Sequence, residues 1–253
     1  MTTNNQKPYY GIDAPKLMQF FFVAGMVALG IIVILFCTSI VMPTLKLILT
    51  SFFGVIAIYL LGMGILMIYA SKVMKLNDNE KLLSSVQWIG DEQVLDIGCG
   101  RGLMLITAAK KLTSGKATGI DLWQQQDQAN NNASATILNA QIEGVNNRIE
   151  IYTADMRKLP FTDNHFDIVT SNWTIHNLDS ESDRQIALNE IIRVLKPGGT
   201  VLLNDIVNQT EYAKYLSACD MKNIQILGNG IRDIVLKIVS FGSFAPYAVK
   251  ATK

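Results

Sequence analysis

Four short stretches of this chain carry residues whose types and spacing could do chemistry. The first is Val94-Leu95-Asp96-Ile97-Gly98-Cys99-Gly100-Arg101-Gly102. Three apolar residues and an acid run into alternating glycines, and Leu103 to Lys110 follows with a helical rhythm. The pattern predicts a buried strand, a tight turn and a helix N-terminus. Glycine serves where a backbone needs unusual dihedrals or where a ligand must come close. A helix N-terminus offers unpaired N–H groups and the positive end of its dipole. Together they suit a nucleotide-like ligand. The spacing is G-x-G-x-G with leucine at 103, whereas the dinucleotide fingerprint is G-x-G-x-x-G.

The other three stretches follow at intervals. Gly119-Ile120-Asp121-Leu122 places a carboxylate at a strand tip, where it can accept two hydrogen bonds from a ribose diol. Thr153-Ala154-Asp155-Met156 offers an acid for an exocyclic adenine amine, with Met156 against the ring. The alternative for Asp155 is to cap the turn before Met156-Arg157-Lys158. Asn172-Trp173-Thr174-Ile175-His176-Asn177 would meet the reactive end of the ligand. A neutral imidazole at His176 could take a proton from an acceptor hydroxyl, thiol or amine; the plainer alternative is a bond that fixes the loop. Trp173 is either a wall or lid residue or a substrate platform. His165 reads as a solvated loop residue. Cys99 stands in a nucleophile-like place, but a small residue is simply required inside that turn. Cys37, Cys99 and Cys219 are scattered, which fits a reducing compartment and neither a disulfide framework nor a metal site. Metal independence is the expectation.

These residues must be positioned by strand ends. The pattern predicts strands over 93–97, 117–122, 148–153, 166–171 and 200–206, with a final strand over 246–252. Helices are expected over 103–111, 133–143 (Ile137, Leu138 and Ile142 inward) and 183–195. Lys196-Pro197-Gly198-Gly199 is a turn in which proline stops the helix and glycine permits reversal. Alternating strands and helices imply a doubly wound, parallel α/β sheet, which binds ligands at the strand ends. Trp123–Asn132 is amide-rich, read either as a lid or as a solvated loop. Ile231, Ile234, Val235, Ile238 and Val239 recur at helical spacing opposite Arg232, Asp233 and Lys237. Packing on the sheet is the default for that helix; contact with a membrane surface or an apolar acceptor is the alternative.

Composition adds a location. The 253 residues are 49% hydrophobic and 17% charged, against about 25% charged in ordinary soluble proteins. No charge falls between Leu17 and Leu45 or between Leu47 and Ser71. Each run suffices for a spanning helix of roughly 20 residues, and Met42-Pro43-Thr44-Leu45-Lys46 suits a turn. A signal peptide has one shorter apolar core, and a buried soluble hairpin would show a polar face. The expected organisation is an N-terminal segment 1–16, spans at about 17–42 and 47–70 within 17–71, a connector 72–92 and a catalytic domain 93–253. Lys7, Lys16, Lys72, Lys75 and Lys81 flank the spans and only Lys46 lies between them, so the positive-inside rule puts both termini and the domain in the cytoplasm. Tyr9 and Tyr10 fit either the interface belt or packing on the domain. The remainder is nearly neutral, without the basic cluster that nucleic-acid binding requires. Small residues such as Ala24 and Ala28 could pack helices within the hairpin; the oligomeric state is not legible.

The ordered series D-I-G-C-G-R-G, G-I-D-L, A-D-M-R-K-L-P-F, F-D-I-V-T-S-N and R-V-L-K-P-G-G-T-V, over about residues 80–253, resembles the class I S-adenosylmethionine-dependent methyltransferases. It is similar to the branch acting on quinone rings and small molecules. The resemblance implies a seven-stranded, Rossmann-like sheet. It implies S-adenosylmethionine held by Asp96, Gly98, Gly100 and Gly102 at the methionine and ribose, Asp121 with Leu122 at the ribose, Asp155 and Met156 at adenine, and Asn172 near the methionine moiety. His176 is the candidate catalytic residue. The expected partners are a small or lipid-like acceptor and the bilayer. Two other functions compete. One is a catalytically silent, methyltransferase-like membrane assembly or binding protein, against which the intact glycines and acids argue. The other is a nicotinamide-dependent reductase, disfavoured by Leu103 and the strand-three acid.

Overall fold

A computed structural model describes residues 7–124, 127–228 and 230–253. The chain divides into two compact units. One contains residues 78–124 and 132–253 together with the described residues up to Tyr10; the other contains 11–77 and 127–131. The expected boundaries differ from this division at both ends. Residues 7–10 belong with the larger unit, and the connector is split at residue 77.

The larger unit is built on a seven-stranded sheet. Its strands are β1 (Gln93–Ile97), β2 (Lys116–Asp121), β3 (Ile149–Thr153), β4 (Phe166–Asn172), β5 (Leu195–Asp205), β6 (Lys222–Leu227) and β7 (Tyr247–Thr252), in the order β3-β2-β1-β4-β5-β7-β6. The first five pair in parallel, whereas β7 runs antiparallel to both β5 and β6. The sheet is therefore mixed rather than wholly parallel. β1, β4 and β5 carry near-continuous apolar, buried residues because helices cover both faces. The Lys196–Gly199 stretch lies within β5, where the pairing with β4 is irregular between Phe166 and Ile168.

In this unit α4 (Leu103–Lys111) follows the glycine turn, and α5 (Ala133–Ile142), α6 (Glu181–Val194), α7 (Gln209–Ala218) and α8 (Ile231–Val239) follow in order. Ser180 caps α6 by accepting from the Asp183 N–H at 3.0 Å. One core forms around Leu95, Ile97, Phe166, Leu188 and Tyr212, and a second around Val94, Leu105, Ile106 and Leu202.

Two helices face differently from expectation. On α5 the buried residues are Thr136, Asn139 and Ala140, while Ile137 and Leu138 are each 43% exposed. The buried polar pair satisfies carbonyls of the glycine turn, described below. On α8 Ile231, Ile234, Val235, Ile238 and Val239 are exposed, whereas Asp233 is buried with Leu236.

The smaller unit contains α1 (Pro15–Cys37) and α2 (Pro43–Tyr69), which pack on each other. A Cβ added at Gly25 would stand 2.7 Å from Leu61, and one at Gly64 would stand 2.9 Å from Phe22, so small residues set the approach. Lys46 donates to the carbonyls of Phe36 and Thr38, both at 3.1 Å, and so satisfies the C-terminal end of α1. The chain continues from α2 through a π turn (Ala70–Met74) into α3 (Lys75–Leu83). The helical runs Pro15–Cys37 and Pro43–Leu83 are both long and apolar enough to cross a membrane.

Candidate active site at the strand ends

The glycine turn joins β1 to α4. Gly98, Gly100 and Gly102 all have positive φ, at 68°, 51° and 85°, a region that glycine enters without steric cost. A Cβ at Gly98 would overlap the Thr174 side chain, so that position has no room for one either. The N–H groups of Gly98 and Cys99 both donate to the Ile120 carbonyl, at 2.9 and 3.0 Å. The turn thereby locks to the end of β2, where Asp121 stands.

Asp121 closes the same junction from the side-chain direction. Its Oδ2 accepts from the Gly100 N–H at 2.7 Å and its Oδ1 from the Trp123 N–H at 2.6 Å. A carboxylate has about four lone-pair sites in all, two on each oxygen. The turn's carbonyls are satisfied by α5: Thr136 Oγ1 donates to Gly100 at 2.6 Å and Asn139 Nδ2 to Arg101 at 2.9 Å. Asn139 Nδ2 also donates to the Tyr9 carbonyl at 3.0 Å, and Arg101 Nε does so at 2.7 Å. The Arg101 guanidinium lies 4.9 Å from the centre of the Tyr9 ring. Tyr10 OH donates to Glu143 at 3.1 Å. Burial and the Glu143 carboxylate push the Tyr10 phenol well above its ordinary pKa. Both tyrosines thus pack within the larger unit.

Beneath the turn, Asp96 is 1% exposed and accepts from Thr170 Oγ1 at 2.9 Å. Burial raises the Cys99 thiol well above its usual pKa, and the Asp96 and Asp121 carboxylates push it the same way. A thiol held protonated is a poor nucleophile, which agrees with a packing role. Leu122 is exposed at the end of β2. Trp123 has a positive φ of 61°, and its indole donates to Thr153 Oγ1 at 2.8 Å. Residues 125 and 126 of the amide-rich loop lie outside the described residues.

After β3, Asp155 makes the capping bond weighed above: its Oδ1 accepts from the Arg157 N–H at 2.9 Å. The Arg157 guanidinium bonds both oxygens, with Nη2 at 2.6 Å from Oδ2, and reaches on to Asp183 at 3.2 Å. These bonds, against a smaller opposing effect of burial, hold the Asp155 carboxyl below the usual range. Its side chain is 32% exposed. Met156 is half-buried against the core. An adenine amine at Asp155 would share the carboxylate with Arg157.

The ends of β4 and β5 form the other half of the site. Asn172 is buried, and its Oδ1 accepts from Asn204 Nδ2 at 2.8 Å across the paired strand ends. Trp173 has a φ of 54°, a left-handed conformation that bulky residues rarely take. Its N–H donates to the Asn204 carbonyl at 2.8 Å, and its ring meets Phe244 edge-on at 5.4 Å. Thr174 Oγ1 donates to the Asn172 carbonyl at 3.0 Å, with a longer contact to the Gly98 carbonyl at 3.4 Å.

Two residues on, His176 pairs with Asp205, a residue that the sequence reading passed over. His176 Nδ1 lies 2.5 Å from Asp205 Oδ1, and the His176 N–H donates to Oδ2 at 3.0 Å. Asp205 also accepts from the Ile206 N–H at 2.9 Å and from Tyr212 OH at 3.0 Å. Its side chain is 2% exposed and that of His176 18%. Burial, then the adjoining Asp205 carboxylate, raises the Tyr212 phenol far above its ordinary pKa, so it remains a donor. An Nδ1–H bonded to a carboxylate leaves the lone pair on Nε2, the tautomer needed to accept a proton. The signal available in the sequence was an acid at the tip of the fifth strand.

Beside Asn204 lies a cavity of about 450 Å³. Leu82 of α3, Leu227 of β6, and Pro246 and Ala248 at β7 give it an apolar lining, with Asp78 and Lys81 at its wall. Among the described residues, no group of three or more His, Cys, Asp or Glu side chains converges as a metal site would require.

This sheet order and turn define a Rossmann-like methyltransferase fold, and residues 95–203 match the family model described as a methyltransferase domain. Over that stretch the chain resembles a class I S-adenosylmethionine-dependent methyltransferase domain. It is 32% identical over 120 residues to a sterol 4-C-methyltransferase of Caenorhabditis elegans, covering 47% of this chain and 33% of that one. It is 34% identical over 111 residues to a demethylmenaquinone methyltransferase of Staphylococcus aureus, covering 44% and 41%. The matches thus span well under half of these curated relatives. Among solved structures, a SAM-dependent methyltransferase from Aquifex aeolicus superposes with a TM-score of 0.54 at 20% identity, covering 71% of this chain and 91% of that one. A geranyl diphosphate C-methyltransferase from Streptomyces coelicolor gives 0.57 at 16% identity, covering 73% and 82%.

Proposed function

We propose that this chain transfers a methyl group from S-adenosylmethionine to a small, largely apolar acceptor of quinone or sterol type at the cytoplasmic face of a membrane. The observation that carries this reading is the junction of the two half-sites. Thr174 reaches the glycine turn through Gly98, and two residues later His176 is held by the buried Asp205. S-adenosylmethionine, when bound, supplies a methyl group on a sulfonium with a good leaving group. Gly98, Gly100 and Gly102 would hold it over Asp96, with Asp121 and Leu122 at the ribose, Asp155 and Met156 at the adenine, and Asn172 near the methionine moiety.

The chain's remaining work is to orient the acceptor, exclude water and receive a proton. Positioning alone can supply much of the rate of such a displacement. His176 Nε2 would take the proton of an acceptor hydroxyl or activated ring carbon, and Asp205 would stabilise the imidazolium that forms. The cavity lined by Leu82, Leu227, Pro246 and Ala248 suits an apolar ring system. The names of the curated relatives, which act on a sterol and on demethylmenaquinone, support that acceptor class. Helices α1 and α2 would hold the domain at the membrane, oriented by the flanking lysines.

Calorimetric titration of the purified chain with S-adenosylmethionine tests the cofactor half; a folded preparation that binds none removes the reading. Mass spectrometry of membrane extracts incubated with enzyme and cofactor tests the acceptor half. The expected product is a lipid-soluble compound heavier by ~14 mass units, one methylene, accumulating with enzyme but not with the His176→Ala variant, whose general-base loss is expected at about 100-fold.

A further inference from the structure

Helix α8 is mounted in reverse. Ile231, Ile234, Val235 and Ile238 recur at the spacing that makes one face of a helix, and all four are exposed, Ile231 by 79% and Ile238 by 68%. Phe241, just past the helix, is 86% exposed. The face turned to the domain holds Asp233, fully buried, and Leu236. Arg232 fastens it there: Nη1 and Nη2 each stand 2.8 Å from the Asp78 carboxylate of α3, and Nε stands 2.9 Å from Asp233. An amphipathic helix in water turns its apolar stripe to the core. Here ion pairs hold the polar face against the domain and direct the stripe outward.

We infer that α8 is an interfacial helix whose stripe beds into the bilayer that anchors the chain, an inference that rests on the membrane reading proposed above. Lipid is favoured as the occupant by three observations. Asp78, the partner of Arg232, follows Tyr69, the last residue of α2, by nine residues. Nine residues of chain reach at most about 30 Å, which bounds how far Asp78 and the helix it holds can lie from the end of the span. Lys237 on α8 is exposed, and so are Lys72 and Lys81 in the segment after α2. Exposed lysines flanking isoleucine and phenylalanine are the composition of helices that lie in a headgroup layer. The segment after α8 also carries Phe244, whose ring meets Trp173 at the acceptor end of the site. Seating α8 in lipid therefore brings the acceptor end to the layer where an apolar acceptor is dissolved.

The test uses the full chain with Cys37 and Cys219 changed to serine and a single environment-sensitive fluorophore at Ile234→Cys or Ile238→Cys. Ser182→Cys on α6 is the water-facing control, and native Cys37 in α1, with Cys219 as serine, reports the anchor. Each is reconstituted sparsely in vesicles of phosphatidylcholine and phosphatidylglycerol, with or without doxyl-labelled lipid. The expected result is roughly twofold or greater doxyl quenching at 234 and 238, with protection from aqueous iodide, while position 182 shows the opposite. If Cys37 is quenched by doxyl lipid but 234 and 238 match the control, α8 lies in water and the inference fails with the anchor intact. If Cys37 is not quenched either, the membrane reading itself falls. If 234 and 238 are shielded from iodide yet insensitive to doxyl lipid, protein covers the stripe, and lipid is the wrong occupant.

Discussion

The two halves of the site are built from different materials. At the end of β1 and β2 the working parts are backbone groups and one carboxylate, bonded between residues 98–100 and 120–121 and braced from α5 by Thr136 and Asn139. At the ends of β4, β5 and β7 they are side chains gathered from distant segments: Trp173, His176, Asn204, Asp205, Tyr212 and Phe244. A cofactor end fixed by main-chain geometry tolerates little change of residue type at its glycines. An acceptor end made of side chains can be refitted one residue at a time while the strand ends stay put. On the proposed reading the first half sets what is bound, and the second sets what is done with it.

The largest expected effects fall on the cofactor end. Gly98→Ala forces a Cβ into the Thr174 side chain at a positive φ, and cofactor binding should be lost in calorimetry. Asp121→Ala removes the acceptor of two turn N–H groups and of the proposed ribose contacts. Hydrogen bonds to a charged group are each worth about 1.5–3 kcal/mol, and 1.4 kcal/mol is tenfold. Affinity should therefore fall about 100-fold. A loss under about threefold would mean that Asp121 serves the turn alone.

Asp205→Asn separates the halves. The amide keeps the shape but loses the charge that orients His176 and would stabilise its cation. Turnover should fall about 100-fold, while affinity for S-adenosylmethionine stays within about threefold. His176→Ala should fall to the same level, and the double variant no further, because the two residues act as a unit. Equal losses of binding and turnover in Asp205→Asn would show that the dyad is scaffolding for the whole strand-end surface.

The same contrast explains what could be read from the chain. The glycine turn, Asp121 and the boundaries of β1 at 93–97 and of α4 at 103–111 were legible because each is a local pattern. β6 was not assigned from its residues; it is an edge strand with an exposed pattern and no apolar run to mark it. Asp205 was missed because its meaning depends on His176, 29 residues away in sequence. The α5 face was misjudged because Ile137, Leu138 and Ile142 look like a core stripe, whereas Thr136 and Asn139 hold the buried positions. Those two residues serve carbonyls of a turn about 40 positions earlier, and periodicity cannot register such a demand. The reversed α8 is the same lesson, since periodicity gives the stripe but not the side it faces.

Asn139→Leu measures that demand. It removes donors to the Arg101 and Tyr9 carbonyls and the acceptor of the Tyr9 N–H. Leaving buried polar groups unpaired costs about 1–3 kcal/mol each, so the denaturant midpoint should drop clearly with part of the loss felt in cofactor affinity. An unchanged midpoint would mean that the N-terminal segment contributes nothing to the turn.

The smallest effect is expected one position earlier. Leu138 sits beside Asn139 on the same helix, and sequence periodicity would rank it as core and Asn139 as surface. The structure reverses the ranking: Leu138 is 43% exposed and Asn139 is 2% exposed. Leu138→Gln keeps side-chain length and helix propensity nearly constant, so it should change stability by about 0.5 kcal/mol or less, as surface substitutions do. A core leucine truncated at Leu188 should cost about 2–5 kcal/mol by comparison. If Leu138→Gln approaches that cost while Asn139→Leu is silent, α5 is rotated relative to the turn. The cofactor end would then owe its shape to β1 and β2 alone, and the polar stripe would lose its role as the second support of the glycine turn.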